Sequence, residues 1–123
     1  EIWLEYGLYR TSQLAVRVTD RSLITDAMNR LRRTPPSRLL GRPVAVRDLA
    51  TGSDLPVQNA IEFTGEGVQV VARPSGTEPK LKCYLEVHLT PQDTRADLPG
   101  AKRRLDADLA HLRSQMSRVL GID

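Results

Sequence analysis

Arg73, Ser75, Gly76 and Thr77 fall within five consecutive positions, and Lys80 and Lys82 follow closely. These residue types make up a phosphate-binding inventory. A guanidinium holds two phosphate oxygens through parallel charge-assisted bonds, hydroxyls donate, and a glycine-containing turn can aim successive N–H groups inward as a nest. Pro74 and Pro79 bracket the stretch and interrupt any strand ladder through it. Gly76 would permit backbone angles closed to other residues. An ordinary surface turn uses the same residue types, so chemistry alone leaves both readings open. No Walker A spacing or dinucleotide-type glycine triad is present.

Other reactive side chains point to structure. The single cysteine, Cys83, excludes an intramolecular disulfide and a multi-cysteine metal site, and it fits a reducing cytoplasm. It shares a strand face with Leu81, Leu85, Val87 and Leu89, so a buried structural thiol is expected in place of a nucleophile. His88 reads as an exposed strand histidine and His111 as a residue on the polar side of a helix. Asp48, Asp54, Asp93, Asp97, Asp106 and Asp108 are scattered without ligand spacing, so the chain is expected to hold no metal.

The phosphate-type stretch has to be carried by its neighbours. Residues 68–72 before it and 81–89 after it place apolar and β-branched side chains at alternate positions, the pattern of two strands. Lys80, Lys82, Tyr84, Glu86 and His88 face away from the Cys83 side. A first strand is expected over 8–19, with Leu14, Val16 and Val18 inward. Asp20 or Ser22 then caps a helix over 23–33, whose apolar positions are Leu23, Ile24, Ala27, Met28 and Leu31. Arg30, Arg32 and Arg33 read as a solvated helix end suited to the dipole, and Thr34-Pro35-Pro36 stops the helix. A second strand spans 42–49 with Val44 and Val46 inward, 50–56 is a loop, and a third strand at 57–64 turns through 65–67 into the fourth. After a polar connection at 90–97, Pro99 opens a long helix that Gly121 closes. Its stripe runs Leu98, Ala101, Leu105, Leu109, Leu112, Met116 and Val119. These elements predict an α+β two-layer sandwich, a mostly antiparallel sheet with two helices packed on one face.

The chain has 123 residues, a size for one domain. Residues 1–7 read as the end of a linker or helix from a preceding domain, with Gly7 as the helix stop and Trp3 packed. Residues 8–123 read as the domain itself. Because the sequence starts at Glu1 and not at Met, a fragment of a longer protein is expected. Hydrophobic residues make up 40% and charged residues 27%, which excludes the disordered class. No apolar run reaches bilayer length and nothing resembles a signal peptide, so neither a membrane nor a secretory role is expected. The formal charge of +3 comes from eighteen basic residues, fifteen of them arginine, spread along the chain. Nucleic-acid binding is an alternative for such a domain, but the five aromatic residues do not interleave with a basic strand as base stacking requires.

Arg73-Pro74-Ser75-Gly76-Thr77-Glu78-Pro79-Lys80, between two strands, resembles the phosphate-binding loop in the last domain of the α-D-phosphohexomutases. That family includes phosphomannomutases and phosphoglucomutases. The resemblance implies a fold, an antiparallel sheet flanked by two helices, and a role for the domain. Such enzymes interconvert hexose 1-phosphate and hexose 6-phosphate, of mannose or glucose, through hexose 1,6-bisphosphate. A phosphoserine in the first domain and an aspartate-bound Mg²⁺ perform the transfer, and the last domain grips the phosphate that stays. By position the resemblance makes Arg73, Ser75, Gly76 and Thr77 the phosphate contacts, with Lys80 and Lys82 as auxiliaries by charge. The family's serine, metal and sugar-specificity loops have no counterpart in this sequence. The expectation is therefore a phosphate-gripping cytoplasmic domain that has no cofactor of its own and is not catalytic alone, working with preceding domains that carry Mg²⁺. A freestanding phospho-ligand module is the other alternative.

Overall fold

Residues 7–49 and 59–121 are described by the computed structural model of the chain. The expected helix end and Trp3 at 1–6, the loop at 50–56 and the start of the third strand lie outside them.

Among the described residues alternating apolar side chains build six strands, all antiparallel to their neighbours: β1 (Leu8–Arg17), β2 (Arg38–Leu39), β3 (Arg42–Asp48), β4 (Ile61–Gly65), β5 (Val68–Pro74) and β6 (Lys80–Leu89). Their order across the sheet is β1-β6-β5-β4-β3-β2. Helix α1 (Arg21–Arg33) follows β1, and α2 (Pro91–Ala96) and α3 (Leu98–Leu120) follow β6. The main packing of α1 and α3 is against β1, β5 and β6. One core fills the space between the layers: Ile61 and Phe63 of β4, Val68, Val70 and Ala72 of β5, and Leu81, Cys83, Leu85 and Val87 of β6 meet Ile24, Met28 and Leu31 of α1 and Leu105, Leu112 and Met116 of α3. Each fully buried side chain of this size contributes roughly 1.5–3 kcal/mol. The two-layer α+β sandwich is thus observed. No helix among the described residues is long and apolar enough to cross a membrane.

Cys83 is buried, which pushes its thiol up to about 12. His88 and His111 are exposed. Gly7 takes a φ of +95°, and a Cβ there would lie 2.2 Å from the Leu89 carbonyl oxygen, so close approach to β6 requires a glycine at this position.

Five expectations are corrected. The polar connection at 90–97 holds the short helix α2. Thr90 caps it by accepting the Asp93 N–H at 3.1 Å, Pro91 starts it, and buried Thr94 accepts the Leu8 N–H at 3.2 Å. The strand at 42–49 is the second arm of a hairpin with β2, an element not assigned between the helix stop and that strand, and its two-residue turn holds Leu40 at φ 55° and Gly41 at φ 72°. Val46 is 41% exposed because β3 lies outside the strands that the helices mainly cover. Leu23 is 43% exposed, next in sequence to Ile24 but about 100° around the helix from it. Arg30 and Arg32 do more than solvate a helix end. Arg30 donates to the Leu120 carbonyl oxygen at the end of α3, and Arg32 meets Asp48 at 3.0 Å and also donates to Asn59.

Candidate functional site

β5 and β6 form a hairpin whose connection is residues 75–79. Pro74 and Pro79 lack an N–H, so the ladder cannot continue through them, and other bonds close the turn. Ser75 N–H donates to the Lys80 carbonyl at 2.9 Å, and Lys80 N–H donates to the Glu78 carbonyl at 2.8 Å. Inside the turn the Ser75 hydroxyl oxygen accepts the N–H groups of Thr77 at 3.4 Å and Glu78 at 3.2 Å. Small hydroxyl side chains favour such local bonds to the backbone. Val18 N–H donates to the Pro79 carbonyl at 2.9 Å, so the end of β1 is tied to the turn.

Gly76 and Thr77 are exposed on this turn. The special backbone angle expected of Gly76 is absent. Its φ is not positive, and a Cβ built there would meet nothing within 4 Å. The open space beside it is available to something outside the chain.

The cations stand at the root of the turn. Ala72 and Leu81 are in the core, so strand alternation puts Arg73, Lys80 and Lys82 on the opposite, helix-free face. Register pairs Arg73 with Lys82, and it pairs Lys80 with Arg17, the last residue of β1. Arg73 is exposed and makes no ion pair among the described residues. Glu78 lies between two of the other three cations, 2.7 Å from an Arg17 Nη and 3.5 Å from Lys80 Nζ. The Arg17 guanidinium bonded to Glu78, with the charge of Lys80 nearby, holds the Glu78 carboxyl below the usual carboxylate range.

The structure therefore gathers Arg73, Lys80 and Lys82 on one face and sets Ser75, Gly76 and Thr77 in the adjoining turn. Sequence reasoning missed Arg17 and Glu78. Glu78 stands inside the motif, and its position between cations was a signal that could have found it. Arg17 had none, because nothing in sequence says that β1 pairs with β6. A hollow of about 420 Å³ lies farther along the same face, over Thr11, Gln13, Gln69, Val71, Tyr84 and Glu86. It adjoins the cation cluster and does not include the turn, where Gly76 and Thr77 are exposed. The cations are at the root of the turn and not in the hollow, which makes the turn the candidate site.

Residues 14–99, from mid-β1 into the start of α3 and including the whole turn, match the phosphoglucomutase/phosphomannomutase C-terminal domain family. The chain belongs to this family. It is 40% identical over 90 residues to a probable phosphomannomutase of Haemophilus influenzae, covering 70% of this chain and 18% of that protein. It is 32% identical over 105 residues to a phosphoglucomutase of Staphylococcus haemolyticus, covering 72% of this chain and 19% of that protein. The chain thus spans less than a fifth of the length of either relative. As a member of this C-terminal domain family, it carries its cationic turn in the hairpin of β5 and β6, inside the matched region.

Proposed function

We propose that this chain is the substrate-phosphate-binding domain of a phosphohexomutase that interconverts hexose 1-phosphate and hexose 6-phosphate, of mannose or glucose, through hexose 1,6-bisphosphate. The observation that carries this reading is the turn at 75–79 with Arg73, Lys80 and Lys82 at its root, in a chain of the phosphomutase C-terminal domain family. In it the Arg73 guanidinium takes two oxygens of the phosphate that is not being transferred. Ser75 and Thr77 donate through their hydroxyls, the ligand approaches the backbone at Gly76, and Lys80 and Lys82 add point charges. Binding energy at this distant phosphate positions the reacting one. Phosphate contacts see only what the alternative substrates share, so sugar specificity lies elsewhere.

The metal that the family implies is Mg²⁺, which needs carboxylate and other oxygen ligands. Among the described residues no three His, Cys, Asp or Glu side chains are grouped to hold an ion. This reading assigns the ion and the phosphoryl donor to preceding domains of the same polypeptide and makes this chain by itself inactive. The partners in this reading are sugar phosphates and those domains, in the cytoplasm, with no nucleic acid or membrane.

A ¹⁵N-labelled sample titrated with glucose 6-phosphate tests the site. Amide shifts should centre on 75–77, with a Kd in roughly the millimolar range because few exposed contacts must offset the association cost. Arg73→Ala should weaken binding about tenfold, and Arg73→Lys should recover part of that loss. Shifts centred on 30–33 would mean that the site lies elsewhere. Tight, steeply salt-dependent binding to mixed-sequence duplex DNA would favour a nucleic-acid role instead.

A further inference from the structure

Two like-charged pairs stand on neighbouring rungs of the sheet at the root of the turn. Arg17 faces Lys80 across β1 and β6, and Arg73 faces Lys82 across β6 and β5. Like charges directly opposite each other destabilise a sheet. Lys80 and Lys82 are also two residues apart on one face of β6, so the pairs are separated by only about 7 Å. A purely structural hairpin gains nothing from four cations arranged in this way. One carboxylate among the described residues, that of Glu78, makes ion pairs within the group, and it reaches Arg17 and Lys80 only.

Arg17 is well placed for more than this contact. Val18 N–H bonds to the Pro79 carbonyl, so β1 and the turn hold a fixed relation one residue from Arg17. The Arg17 side chain is 61% exposed and uses a single Nη atom on Glu78, which leaves the rest of its donor fork open among the described residues. The turn shows the same arrangement on a smaller scale, since the Ser75 hydroxyl occupies the N–H groups of Thr77 and Glu78 through long bonds. Cations and N–H donors alike are held by internal groups that a phosphate oxygen can replace.

We propose that Arg17 is a further phosphate-binding residue and that Glu78 is an internal counter-anion, holding Arg17 and Lys80 until a phosphate monoester takes them over. This deepens the phosphate-site reading above and rests on it. A phosphate dianion brings two charges and at least three acceptor oxygens where Glu78 offers one charge and two oxygens. Exchange of Glu78 for phosphate therefore satisfies more of the four cations, and the freed carboxylate turns to water at the exposed edge of the turn.

The test is a titration of inorganic phosphate and of glucose 6-phosphate into the 123-residue chain at fixed low salt, followed by amide shifts. The wild type is compared with Arg17→Ala, Arg17→Lys, Glu78→Gln and the double variant Arg17→Ala/Glu78→Gln. Arg17→Ala should weaken binding about tenfold, with Arg17→Lys intermediate. Glu78→Gln should tighten binding several-fold, and most of that gain should vanish in the Arg17→Ala background. A gain that persists undiminished without Arg17 would make Glu78 a diffuse charge and overturn the proposal. Weaker binding by Glu78→Gln would overturn it too, since Glu78 would then only shape the turn. If amides 75–77 shift in the wild type while Arg17→Ala binds equally well, this inference fails and the phosphate site stands. If they do not shift at all, both fail.

Discussion

Gly76 is a glycine for reasons that its own backbone does not supply. Its φ is not positive and its missing Cβ faces open space, so alanine can replace it in the free chain. Gly76→Ala should leave stability unchanged or raise it by up to about 1 kcal/mol, because the unfolded chain loses freedom. If a phosphate approaches the backbone there, the same change should weaken phosphate binding severalfold. Thermal melting and the phosphate titration together check this, and equal affinity in Gly76→Ala would remove position 76 from the site. Residue type was enough to mark Arg73, Ser75, Thr77, Lys80 and Lys82 as candidates, since guanidinium, hydroxyl and ammonium groups clustered in a turn have a recognisable chemistry, although an ordinary surface turn draws on the same types. It did not suffice for Gly76, where the reason offered from sequence was a backbone angle that the structure does not use.

The start of α1 was legible from its capping residues. At the start of α1 the Asp20 side chain accepts the Ser22 N–H at 2.9 Å, which decides between the two cap candidates. That backbone bond, then the one to the Ser22 side chain, holds the Asp20 carboxyl below its usual range. A group whose pKa is lowered by folding stabilises the protein above its unfolded pKa, and this contribution is lost as pH falls through the folded value. Asp20→Ala should therefore lower the melting temperature by a few degrees at neutral pH, and the gap from wild type should close in acid. Asp20→Asn keeps a capping oxygen and should lose less at neutral pH. A pH-independent difference between wild type and Asp20→Ala would contradict the cap's ionised role. Helix α2 was missed although Thr90-Pro91 carries the same signal as Asp97-Leu98-Pro99, because six residues show too little apolar periodicity to be noticed. The β2–β3 hairpin was missed for a different reason. Its turn holds Leu40 at positive φ, a conformation usually marked by Asn, Asp or Gly.

At the scale of the molecule, one core joins α1 and α3 to the sheet, and the cationic turn lies at one end of the strands that carry it. The whole long stripe of α3 is buried or partly buried, with Leu120 added to it. Such a layered core supports independent folding. Phosphoryl transfer, however, depends on a placed donor and a metal to neutralise developing charge. The purified chain should therefore melt cooperatively yet show no turnover in a coupled mutase assay with Mg²⁺ and glucose 1,6-bisphosphate. Activity that survives removal of host mutase would show that the chain is an enzyme on its own.

Periodicity and composition by themselves determined the two-layer class, the two faces of β6 and the place of the turn at 75–79. Alternation along β6 separates Cys83 from Lys82 whatever the neighbouring strands are. Which strands lie side by side was decided only in three dimensions. Alternation names a strand's two faces but says nothing of its neighbours, and pairing is settled by how the whole core closes. That closure left Val46 uncovered, joined Arg30 to the end of α3 and Arg32 to Asp48, and brought Arg17 to Glu78 across 61 residues of sequence.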